Sequence, residues 1–399
     1  MTAPVGNGRL VFLIAVTIAA GQLGVNLYLP AMPAIGNALT ISPSWMAMTL
    51  AVYFAGFAFF TLVTGPCSDA LGRRFIILRG LEVYCAGTFL CAAANDIAML
   101  LAGRLLQSLG ASCAPAVGKA IIRDISEEER TVILMGWLGA AMSVTPAVAP
   151  FIGGIIVQYL EWRWIFWALL IVNALMWLMN LYALPETLRS TRSGTLQMAS
   201  MPKTYREFLG NRVYTGYVLI LGACFGGLGA FYTASPYVFI DGFRLSPFFY
   251  GLIALLIVAG FSAGNLAVGV IISSRGSRRT LEIGGFTLLA GALGILFLPK
   301  AFVMVSTVVA TSFLFAFGFG VIYPLVTKEA LGCYMDRAGA AAAFLGFMQH
   351  GSSALGSLTV AFVISVSMSS YRAMALVMFI CAVFVIAVIY SVTRRSAEI

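Results

Sequence analysis

The chain has 399 residues, of which 61% are hydrophobic and only 10% charged, with a formal net charge of +9. A water-soluble domain carries about 25% charged residues, so this composition excludes a soluble globular protein. Uncharged runs such as LAVYFAGFAFFTLVTG (50–65) and FVMVSTVVATSFLFAFGFGVIYPLV (302–326) recur along the chain. They approach or exceed the roughly 20 residues with which a helix crosses about 30 Å of hydrocarbon. The alternating segments of about 10 residues that build a membrane β-barrel are not seen.

The expected fold class is therefore an all-α, polytopic membrane protein. Spans are predicted over 10–32, 45–66, 75–94, 97–120, 131–158, 162–184, 214–237, 247–273, 281–299, 302–327, 339–366 and 370–391, twelve in all. The first run lacks the short apolar core and cleavage site of a signal peptide, so it is expected to stay as a span. Placing the N-terminus in the cytoplasm puts 19 of the 24 Lys and Arg residues on that side. Arg163, Arg244, Lys300 and Arg372 fall on the other side, and Arg104 falls inside a span. This asymmetry is the positive-inside pattern, and it predicts cytoplasmic termini. The net charge then reflects topology and contact with anionic lipid headgroups, not nucleic-acid binding. Cys67, Cys85, Cys91, Cys113, Cys224, Cys333 and Cys381 show no pairing or metal spacing and read as small buried hydrophobes.

The polar stretch PETLRSTRSGTLQMASMPKTYREFLGNR separates six spans from six. It predicts a first bundle over 1–184, a linker over 185–212 and a second bundle over 213–399. Both halves begin on the same side, as parallel repeats do around a central cavity. GPCSDALGRR (65–74) joins the second and third spans, and a shift of 204 residues lands on GVIISSRGSR (269–278), with Gly65 over Gly269 and Gly72 over Gly276.

Several short motifs carry the chemistry. In GPCSDALGRR, Gly65 and Gly72 allow close approach and a positive φ. Asp69 can pair with Arg73 or a neighbouring helix N-terminus, and Arg73 and Arg74 anchor the turn at the headgroups. The loop resembles the signature G-x-x-x-D-R-x-G-R-R of the major facilitator superfamily, with Ala70 where that pattern has arginine. LAGRLLQSLGAS (101–112) is similar to the fourth-helix motif R-x-x-Q-G-x-G-A through Arg104, Gln107, Gly110 and Ala111. TPAVAPFIGG (145–154), with Pro146, Pro150, Gly153 and Gly154, resembles the fifth-helix motif of the antiporter branch. YLPAMP in the first helix, IIRDI (121–125), WRWIF (162–166) and LPETL (184–188) resemble the Bcr/CflA drug-resistance transporters.

The resemblance implies twelve helices in two pseudo-symmetric six-helix bundles around a cavity, working by alternating access. It also implies a multi-pass, monomeric protein of a bacterial inner membrane that exports small amphiphilic drugs against protons. The expected partners are a small-molecule substrate, protons and membrane lipids, with no cofactor and no metal. In the family pattern D-M-Y-L-P the first-helix carboxylate carries the proton; the sequence here is NLYLP, with Asn26 at that position.

An amide does not titrate, so proton coupling needs another group. Glu82 is the one carboxylate within a span, with Arg79 three residues back as a headgroup-level partner. His350 is the one histidine and falls at mid-depth; it reads either as a titrating group or as a neutral imidazole bonded to Gln349 or a backbone carbonyl. Arg104 is expected at the depth of Asn26, facing the cavity and making it electropositive. Lys119 reads as a snorkelling headgroup contact. Tyr28, Met32, Phe231, Tyr232 and Tyr237 are candidates for apolar cavity walls or for simple packing. On this reading cationic drugs are poor substrates, and neutral or anionic amphiphiles are better ones. A facilitator or importer of an organic anion and a non-transporting sensor are the alternatives. An enzyme is not expected, since one histidine excludes a two-histidine metal motif and no phosphate loop or nucleophile elbow occurs.

Overall fold

The computed structural model describes residues 5–125, 128–188, 194–366 and 368–395, and every regular element among them is helical. In chain order these are α1 (Val5–Asn26), α2 (Met32–Ala38), α3 (Pro43–Leu71), α4 (Arg73–Ala92), α5 (Ile97–Ile125), α6 (Glu128–Tyr159), α7 (Arg163–Ala183), α8 (Gly194–Gly210), α9 (Arg212–Pro236), α10 (Pro247–Phe297), α11 (Val305–Gly332), α12 (Ala338–Ser365) and α13 (Ser370–Arg395). A hydrocarbon environment leaves no partner for backbone groups except the helix itself, so apolar runs fold this way almost regardless of side-chain detail.

Nine stretches among the described residues are long and apolar enough to cross a bilayer. One is the 31-residue run Gly8–Ala38, in which α1 and α2 are joined through a tight turn at Leu29–Ala31. Another is the 51-residue α10, which breaks at Gly276 (φ 75°, ψ 166°) into two spans. Counting both halves of α10, and adding α6 and α12, agrees with the twelve predicted. The helix α12 is polar for its depth because it carries Gln349, His350, Ser352, Ser353 and Ser357. The linker region is more ordered than its polar composition suggests, since α8 occupies much of it; Arg189 and Arg192, counted above among the cytoplasmic charges, lie outside the described residues.

Helices α1 and α3–α7 pack into a first lobe, and α9–α13 into a second. Glycines set the closest contacts. A methyl group at Gly87 would meet the backbone of Gly103 and Gln107, and one at Gly110 would meet the backbone of Gly80 and Tyr84. The α4–α5 pair therefore meets backbone to backbone, as small residues allow in membranes. The lobes touch along α3 with α12 and along α6 with α10. Gly154 lies against the Pro247 carbonyl and Gly251 against the Pro150 carbonyl. The Tyr237 hydroxyl donates to the Met32 carbonyl at 3.5 Å. These contacts close the space between the lobes at the end away from the arginine-rich loops.

Candidate functional site

Between the lobes lies a cavity of about 1370 Å³. Its mouth is framed by Asp69, Arg73, Arg123 and Asp124 of the first lobe, by Lys203 and Glu207 on α8, and by Arg337. Its floor is formed by Asn26, Leu29, Pro146, Pro150 and Tyr250, just inside the α6–α10 seam. Gly153 approaches the Leu27 carbonyl of the first lobe while Gly154 faces the second, so the proline–glycine motif of α6 contributes both to the floor and to the seam behind it.

The second-lobe wall is aromatic. Phe225, Phe261, Phe319 and Tyr323 form a continuous group, with Phe225–Phe319 centroids at 5.2 Å and Phe261–Phe319 at 5.1 Å. His350 joins this group and stacks on Phe57 of the first lobe at 4.2 Å and 27°. Its Nδ1 lies 3.0 Å from the Gly346 carbonyl. A carbonyl only accepts, so Nδ1 carries a proton and donates it there. That is the arrangement with a backbone carbonyl, not Gln349, as the partner.

Of the aromatics read as either cavity walls or packing, Phe231 and Tyr232 line the cavity. Tyr28, Met32 and Tyr237 do not: they are buried behind the floor, with the Tyr28 hydroxyl bonded to Thr49 at 2.7 Å. The sequence reading missed Phe57, Phe225, Phe261, Phe319 and Tyr323. Phe315, Phe319 and Tyr323 recur every four residues on α11, which marks one face of a helix but does not say what that face meets.

Asn26 lines the floor and is 6% exposed. Its Nδ2 donates to the Gln22 carbonyl at 3.2 Å, and Oδ1 has no partner. Arg104 is placed differently from the expectation. It is fully buried and does not line the cavity. Its Nη1 donates to the Gly24 carbonyl at 2.7 Å and to Gln107 Oε1 at 2.9 Å. The guanidinium sits 4.3 Å from the ring centres of both Tyr28 and Tyr53, where aromatic faces stabilise a cation. Gln107 in turn donates to Thr88 at 2.9 Å. Asn26 and Arg104 therefore form no pair, and Arg104 gives the cavity no accessible charge. The reason is that α1 and α3 close over α5 at this height.

Lys119 is the converse correction. It projects into the cavity and is exposed there, not directed at headgroups. Glu82 is remote from the cavity; it pairs with Arg79 at 2.6 Å and accepts from Trp177 Nε1 at 3.1 Å.

The turn between α3 and α4 gathers three of the sequence motifs. Gly72 has φ 103°, a conformation that favours glycine. Arg73 pairs with Asp69 at 2.5 Å and with Asp124 of IIRDI at 3.2 Å. Glu186 of LPETL accepts from the backbone N–H groups of Arg73 at 3.0 Å and Arg74 at 3.2 Å. It thereby caps the N-terminus of α4, where unpaired N–H groups and the helix dipole favour an anion. Arg74 donates to the Leu181 carbonyl at 2.6 Å. Burial pushes the Tyr205 phenol on α8 up to about 12, so it presents a neutral hydroxyl beside the mouth.

A two-lobe helical membrane protein with a cavity open at one end and sealed at the other is the architecture of a transporter. Residues 14–357 match the Major Facilitator Superfamily, and the chain belongs to that family. It is 28% identical over 401 residues to the uncharacterized MFS-type transporter YdgK of Bacillus subtilis, covering 98% of each chain. It is 26% identical to a bicyclomycin resistance protein homolog of Haemophilus influenzae over 94% of each, and 28% identical to the multidrug resistance protein MdtL of Escherichia fergusonii over 83% of each. Among solved structures, a bacterial homolog of the human lysosomal transporter Spinster, in an inward-facing and unoccupied conformation, superposes with a TM-score of 0.78 over 98% of each chain at 13% identity. The D-xylose–proton symporter gives 0.74 at 14% identity, covering 94% of this chain and 96% of that one. These last likenesses concern the fold. The chain is a multi-pass transporter of small molecules.

Proposed function

We propose that the protein exports small amphiphilic molecules, antibiotics among them, from the bacterial cytoplasm by alternating access. The observation that carries the reading is the aromatic cavity of about 1370 Å³, open toward the arginine-rich end and closed at the floor. The positive-inside pattern makes the open end cytoplasmic, so the conformation described is the one that loads a substrate from inside. Its relatives named for bicyclomycin and multidrug resistance support the same direction. Release requires the α6–α10 seam to part while the mouth closes, a rocking of one lobe against the other about the site. The protein works as a monomer in the inner membrane, with both termini cytoplasmic, and performs no covalent chemistry.

Proton coupling needs a group that titrates, and Asn26 does not. His350 is placed to serve, because it lies in the cavity and bridges the lobes through Phe57. The test is export of a fluorescent drug from proteoliposomes under an imposed pH gradient. Proton-driven export abolished in His350→Ala supports coupling at His350, and Asn26→Asp should add a second pH-dependent component. No drug flux in either direction, with protein correctly inserted, overturns the export reading.

A further inference from the structure

Of the cations lining the cavity, Arg73 and Arg337 are paired, whereas Lys203 on α8 and Lys119 and Arg123 on α5 have no ion pair among the described residues. At the mouth, Asp69 and Asp124 share Arg73, and Glu207 pairs with Arg337 at 2.8 Å. Lys119 has no hydrogen-bond or ion-pair partner among the described residues, although it lines the cavity. Arg123, one turn on along α5, points across the mouth to the start of α12, where its guanidinium lies against Gly339. Residues i and i+4 share a helix face, so the two cations form a short ladder from mouth to interior. All the lining carboxylates are at the mouth and already paired, and Lys119 lies about 9 Å inside the end of α5 at 1.5 Å per residue. An ammonium in the cavity with no counter-charge is a fixed positive site, and it attracts an anion that enters with the ligand.

Deeper in, the wall turns apolar and aromatic, with Phe225, Phe319 and Tyr323 on one side and Phe57 on the other. Beyond these, Asn26 Oδ1 is buried and unpartnered at the floor. The order from mouth to floor is thus fixed cation, aromatic box, hydrogen-bond acceptor.

We propose that the cavity binds monoanionic aromatic amphiphiles, with a sulfonate or carboxylate on Lys119, the ring system in the aromatic box, and an N–H or O–H donor reaching Asn26. This rests on the export reading for its physiological meaning, but the binding site stands on its own geometry. Arg123 attracts the anion at the mouth, and Lys119 holds it. A lipophilic cation of equal size meets the same box with the wrong charge at its entrance.

The test is equilibrium binding to the full-length protein in nanodiscs, using naphthalene-2-sulfonate and the trimethylammonium derivative of the same ring. The parent protein should bind the sulfonate at least tenfold more tightly than the ammonium compound. Lys119→Gln should remove that preference, and Lys119→Arg should keep it within about threefold. If Lys119→Gln does not fold, Arg123→Gln serves as the second variant, with an expected loss of sulfonate affinity of about threefold. Equal or tighter binding of the cation by the parent overturns the proposal, as does a sulfonate preference that survives Lys119→Gln. The two readings fail separately. Drug export with a preference for the cation removes the anion site and leaves export standing, whereas sulfonate preference without any flux does the reverse.

Discussion

Two cations on one helix have opposite fates. Arg104 and Lys119 are fifteen residues apart on α5, which at 3.6 residues per turn is about 22 Å of rise and only about 60° of rotation. They therefore lie near the same side of the helix. At the height of Arg104 the first lobe is closed: α1 supplies a carbonyl, and the rings of Tyr28 and Tyr53 each lie 4.3 Å from the guanidinium. At the height of Lys119 the lobes have parted, and no described group answers the ammonium. The comparison separates a cation that holds the lobe together from one left for a ligand.

Stability measurements on the purified protein can break that distinction. The largest effect is expected for Arg104→Ala, which removes two hydrogen bonds and two ring contacts and opens a buried void, a loss of about 3 kcal/mol or more. Arg104→Lys should not recover it, because an ammonium lacks the flat, delocalised guanidinium that lies against the rings of Tyr28 and Tyr53. Wild-type thermal unfolding of Arg104→Ala would remove its structural role. Next, Arg73→Ala should cost about 2 kcal/mol, since it leaves Asp69 and Asp124 facing each other unneutralised; an unchanged melting temperature would show the cluster to be a solvated surface network.

Smaller effects test the two related turns. Gly72 and Gly276 are the two positive-φ glycines among the described residues and lie 204 positions apart, the spacing expected of the repeat. Substituting alanine should cost about 1–3 kcal/mol at either for the backbone alone, since both combine a positive φ with an extended ψ. Gly72→Ala should cost more than Gly276→Ala, because a methyl group at Gly72 meets the Glu186 carboxylate and one at Gly276 meets nothing within 4 Å. Glu186→Gln should cost about 0.5–1 kcal/mol, keeping the cap on α4 while losing its charge. The smallest effect, within about 0.5 kcal/mol, is expected for Lys119→Gln. A melting temperature that falls as far as that of Arg104→Ala would make Lys119 a structural cation after all.

Legibility followed the range of the forces involved. The apolar runs, the charge asymmetry of the loops and the glycine echo between 65–74 and 269–278 are written locally, and each was readable without a partner. The motifs were readable as motifs, but not as neighbours. Asp124 of IIRDI and Glu186 of LPETL contact the α3–α4 turn from 51 and 113 residues away in sequence, so only packing brings them together. The aromatic box was missed for the same reason, since a phenylalanine facing lipid and one facing a cavity look alike along the chain.

By itself the sequence determined that the chain crosses the membrane as helices in two related halves, because a bilayer leaves the backbone no other way to satisfy its hydrogen bonds. It also determined that Asn26 cannot carry a proton. Tertiary structure alone decided that Arg104 is sealed and Lys119 is open, because that depends on how far α1 and α3 stand from α5 at each height and not on anything α5 encodes.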